Sequence, residues 1–179
     1  MDNAFLRELL QPLVGESLTG MYRYLGQVFE FGEQRPWTNR RGEATTRGDF
    51  LLKFISADWR IVQAGRIVLG SSDRDPEKQF YEAETPPDNS HNAEAWRLAR
   101  AYFDAVEAGT FVVETVDVGG FGEVTLRLSQ ALVIESFASS AQDLDLWWFM
   151  NDRTQVSCLV GPSCHNVGRS RNDSGDKGK

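Results

Sequence analysis

The stretch from Phe50 to Leu69 constrains the fold more than any other. Phe50, Leu51, Leu52, Phe54 and Ile55 form an apolar run that fits a strand buried on both faces. Leu51, Ile55, Ala57, Trp59 and Ile61 then share one face at period two, while Ser56, Asp58 and Arg60 turn the other face polar. Gln63-Ala64-Gly65-Arg66 reads as a tight turn, with Gly65 supplying the positive φ that short hairpins need. Ile67, Val68 and Leu69 return as the second strand. The expected element is a β-hairpin over residues 50–69.

The same pattern recurs later. Val124, Leu126 and Leu128 alternate with Thr125, Arg127 and Ser129, as in a half-buried strand. Phe111–Val118 precedes it across the Gly119-Gly120-Phe121-Gly122 turn, and Leu132–Phe137 follows as its partner. Leu146–Met150 and Val156–Val160 are the last two strands expected, joined by Asn151-Asp152-Arg153. Met21–Phe31 reads as one early strand with a bulge at Gly26. Residues 32–48, with Pro36, Gly42 and Trp37, read as a long exposed loop. Two helices are expected. Residues 3–14 place Phe5, Leu6, Leu9, Leu10 and Leu13 on one stripe, with Pro12 weakening the last turn. Residues 93–108 place Trp96, Ala99, Phe103 and Val106 on another, with Gly109 as the stop. The fold class is α+β: a mainly antiparallel β-sheet or partly open barrel with two flanking helices. Residues 1–164 form one domain, and 165–179 a polar tail with almost nothing to bury, expected to be disordered.

Composition limits the function. The chain of 179 residues is 41 % apolar, with eleven Phe and five Trp, enough for a single core. Its net charge is −7, and a balance of +2 over the last fifteen residues leaves −9 on residues 1–164. Such a body disfavours nucleic acid and anionic membrane, both of which select Lys and Arg, and suits a basic protein partner. No secretory leader or membrane-spanning run is legible, so a cytoplasmic location is expected.

Recognisable catalytic motifs are absent from the sequence. Cys158, Cys164 and His165 fall short of the four paired ligands of a zinc site, and no cofactor is expected. The glycine-rich turn at 119–122 precedes no helix and is read as a β-turn rather than a phosphate cradle. Glu114, Asp117, Glu123 and Glu135 lie in or beside the second-half strands and could serve as a carboxylate pair; solvated sheet charges are the simpler reading. Asp58 and Arg60 share a face and could pair. Trp147 and Trp148 must point to opposite faces of a strand, so one fills the core and the other meets a helix, a loop or a partner. The partner-binding candidates are Trp37, Trp147, Trp148, Asp143 and Asp145.

The block Phe50–Val62 with its Trp59-Arg60-Ile61, followed by Gly65–Asp73, resembles a recurring block in small uncharacterised bacterial proteins. Val124–Phe149 is similar to their second block, with Asp145-Leu146-Trp147 where they carry Glu. Proteins of this kind are sometimes regarded as immunity proteins for bacterial toxins. The resemblance thus implies a non-enzymatic protein that occludes a basic toxin; the alternative is a small enzyme or ligand binder using carboxylates in a sheet–helix cleft.

Overall fold

The computed structural model describes residues 3–39, 41–71, 90–138, 145–161 and 164–169. Helix α1 (Asn3–Leu10) passes into a 3₁₀ turn at Gln11–Leu13, where Pro12 stops the α-helical ladder. Thirteen strands follow among the described residues: β1 (Leu18–Arg23), β2 (Gln27–Phe31), β3 (Arg35–Thr38), β4 (Ala44–Arg47), β5 (Phe50–Phe54), β6 (Asp58–Gln63) and β7 (Arg66–Gly70), then, after α2 (Ser90–Glu107), β8 (Val113–Val118), β9 (Val124–Leu128), β10 (Leu132–Phe137), β11 (Trp147–Asn151), β12 (Val156–Gly161) and β13 (Cys164–Arg169).

The strands form two antiparallel sheets that do not close into a barrel. The first has the order β1-β2-β5-β11-β12-β13, the second β7-β6-β10-β9-β8, and β3-β4 is a separate hairpin. One core is shared by both sheets: Phe29, Phe31, Leu52, Phe54, Trp147 and Phe149 from the first meet Ile61, Leu126, Leu128, Leu132 and Ile134 from the second. Leu6, Leu10 and Leu13 close it beside β8, and α2 packs against β1 and β7 with Tyr102 and Val106 buried. The N–H groups of Gly109 and Thr110 bond back to Val106 and Ala105 and end α2.

The sheets meet at both ends. At one, Ile55–Ala57 carries the chain from β5 to β6, and Trp147 Nε1 donates to the Gly122 carbonyl at 2.7 Å. At the other, Ser17 bridges Val112.

Several expectations change. The 50–69 turn is a hairpin turn, with Ala64 and Gly65 both at positive φ, but it joins β6 to β7; β5 leaves at the bend and belongs to the other sheet. Met21–Phe31 falls on two strands, β1 and β2, because the chain reverses at Tyr24–Gly26. Gly26 sits at φ 129, and a Cβ there would come within 2.3 Å of the Phe54 carbonyl, so the turn packs too closely for any side chain. The loop at 32–48 holds the exposed hairpin β3-β4. Residues 165–169, placed in the tail by composition, belong to the strand Cys164–Arg169, which pairs with β12 as an edge strand.

Candidate binding surface

Strand alternation builds the outer face of the six-stranded sheet. Tyr22, Val28, Lys53, Trp148 and Leu159 lie side by side in one row across β1, β2, β5, β11 and β12. The adjacent row runs Gly20, Glu30, Leu51, Met150 and Ser157. Val28, Leu51 and Met150 make a small apolar cluster apart from the main core, and Trp148 packs on it half-buried. Lys53 lies 5.3 Å from the Tyr24 ring centre, and desolvation lowers its pKa.

Glu30 is buried in this face. Its Oε2 accepts from Gln34 Nε2 at 2.9 Å and from the Gly48 N–H at 3.3 Å. Burial first, and Glu30 second, push the Tyr22 hydroxyl up to about 12.

The two ends of the sandwich differ in chemistry. One collects charges that neutralise each other. Arg153 bonds Glu16 Oε1 at 2.6 Å and Asp49 Oδ2 at 2.6 Å while lying over the Phe50 ring, and these carboxylates hold its pKa up. Arg35 Nε contacts Asp49 Oδ1 at 2.8 Å, and Arg47 pairs with Asp152 and covers the Trp37 ring. The opposite end carries the turns at 24–26, 55–57 and 119–123. There Tyr24, Leu25, Phe121 and Phe137 are exposed.

Of the residues singled out from sequence, Trp147 is wholly buried with its N–H bonded, so it fills the core and presents no surface. Trp148 occupies the outer face; α2 packs elsewhere. Trp37 is exposed on β3 at the ionic end. Asp145 is exposed just before β11, and Asp143 lies outside the described residues. Glu114 and Asp117 are exposed on β8. Glu135 pairs with Arg60, directly opposite on β6, at 2.6 Å, so Arg60 turns to the neighbouring strand rather than to Asp58, which accepts from Ser71 Oγ at 2.8 Å. None of the four second-half carboxylates lines the open cleft of about 510 Å³ between the start of β1 and the end of α2, where Glu16, Glu33 and Glu107 stand instead. Cys158 is a buried core residue of β12. Among the described residues, no group of three or more His, Cys, Asp or Glu is placed to hold a metal ion, and no helix is long and apolar enough to cross a membrane.

The sequence did not single out Tyr24 or Leu25, or Phe121 as a surface residue. For Tyr24 and Leu25 the available signal was the Leu25-Gly26 pair, as a turn rather than a bulge; for Phe121 it was its place in the glycine-rich turn.

Comparison with protein-family models, with curated proteins and with solved structures found no match.

Proposed function

We propose that this chain acts by binding, as a non-enzymatic protein that occludes a basic partner in the manner of a toxin-immunity protein. One observation carries the reading. Arg35, Arg47, Arg60 and Arg153 each face a carboxylate of the same chain, whereas Asp58, Asp117 and Asp145 are exposed and form no ion pair among the described residues. These four arginines are therefore neutralised internally, and exposed carboxylates face solvent. Such a field accelerates encounter with a basic protein. Trp148, half-buried on a sheet face, adds the kind of aromatic anchor enriched at binding centres.

The test is purification of the tagged chain from its native host at low salt, with mass-spectrometric identification of any stoichiometric partner. One protein rich in Lys and Arg, whose own activity this chain suppresses when added back, is the expected result. Recovery of no stoichiometric protein contradicts the reading.

A further inference from the structure

Resting on the binding reading, we infer that the partner docks on the end of the sandwich formed by Tyr24, Leu25, Phe121 and Phe137, and that the occupant is a basic protein with an apolar recess.

Four contacts bring these turns to one end. A Cβ on Gly26 would meet the Phe54 carbonyl, so the Tyr24–Gly26 turn lies on the end of β5. Ile55 N–H bonds the Leu146 carbonyl, which places the approach to β11 beside it. Trp147 reaches from β11 to Gly122, next to Phe121. Phe137 pairs with Asp58, the first residue after the bend.

Leu25 is 78 % exposed, Phe121 75 % and Tyr24 60 %. Leu25 is also at φ 47, a left-handed conformation that costs a non-glycine residue about 1 kcal/mol or more. A leucine that is both strained and exposed contributes little to folding.

Charge selects the occupant. Asp58, Asp117, Glu123 and Asp145 stand around this end, and none forms an ion pair among the described residues. Glu123 accepts the Phe121 N–H at 3.0 Å and so steadies the turn that presents the ring. Of the cations here, Arg60 is paired with Glu135 and lies over Phe137, Arg7 donates to the Val118 carbonyl, and Lys53 lies over the Tyr24 ring. At the opposite end Arg35, Arg47 and Arg153 each meet a carboxylate. An apolar tip bordered by carboxylates that form no ion pair among the described residues complements lysines and arginines around an apolar recess.

The experiment places a photo-crosslinking residue singly at Leu25, Phe121, Trp37 or Ile67 of the full chain in its native host and identifies the products by mass spectrometry. Binding of the identified partner is then measured with Leu25→Asp/Phe121→Asp, and with Trp37→Ala as control. One Lys- and Arg-rich protein crosslinked from Leu25 and Phe121 but not from Trp37 or Ile67 is expected. The double variant should weaken binding by about a hundredfold, the scale of losing two central anchors, with unchanged circular dichroism. A basic partner crosslinked only from Trp37 or Ile67 overturns the docking site and leaves the binding reading standing. Products consisting of a second copy of this chain, an acidic protein or lipid overturn the choice of occupant. Absence of any partner from the unmodified chain removes both.

Discussion

Trp147 donates its indole N–H to the carbonyl of Gly122 at 2.7 Å and so ties the first residue of β11 in one sheet to the turn between β8 and β9 in the other. The ring occupies the shared core, fully buried between Phe54 and Val160, its neighbours on β5 and β12. Trp147→Phe removes the donor and leaves a buried carbonyl unpaired, at about 1–3 kcal/mol. Trp147→Ala adds a cavity and should cost about 3–5 kcal/mol. Urea unfolding of the two variants measures both, and their order is part of the prediction.

Arg153 holds the ionic end together by bonding Glu16 and Asp49 at once. The Asp49 side chain is 1 % exposed, so loss of Arg153 leaves it with Arg35 alone. Breaking a fully buried pair costs about 3–5 kcal/mol; with Arg153 itself 41 % exposed, Arg153→Ala should cost about 2 kcal/mol. A change below about 0.5 kcal/mol would class this network with ordinary surface ion pairs.

Leu25→Asn should stabilise the protein by about 1 kcal/mol, since asparagine tolerates the left-handed conformation and no buried contact is lost. The same variant should weaken partner binding. Loss of stability on this substitution would show that Leu25 serves the fold.

Alkaline stability should carry the mark of Tyr22. Its hydroxyl ionises near 12 in the fold against an ordinary value of 10.0, so the unfolded chain gives up its proton first. Stability from this group is complete below pH 10 and falls as pH rises from 10 through 12. Buried Tyr102 is shifted in the same direction by desolvation. Tyr22→Phe should therefore flatten the dependence of the urea midpoint on pH between 10 and 12 without abolishing it.

What the sequence made legible was local. The Ala64-Gly65 turn, the alternation of Val124–Leu128 and the end of α2 at Gly109 are each determined by a few neighbouring residues, and each was found. The bend at Ile55–Ala57 was not, because period-two alternation continues through it and gives no sign that the strand changes sheets. The β3-β4 hairpin has seven exposed residues among its eight and lacks the apolar alternation that marks a buried face. Strand geometry required Trp147 and Trp148 to face apart, but only pairing with β5 and β12 decides which one turns inward. The ionic end joins Glu16, Asp49 and Arg153 across separations of 104 and 137 residues, beyond the reach of spacing rules. Asp58-Trp59-Arg60 suggested a pair along one strand; the closer carboxylate lies across the sheet on Glu135.

Steering by an acidic surface is tested most directly by the association rate constant of this chain with its purified partner, measured by stopped flow as salt rises from about 50 to 500 mM. The rate should fall about tenfold or more while dissociation changes little. An association rate that stays constant or rises with salt would contradict it.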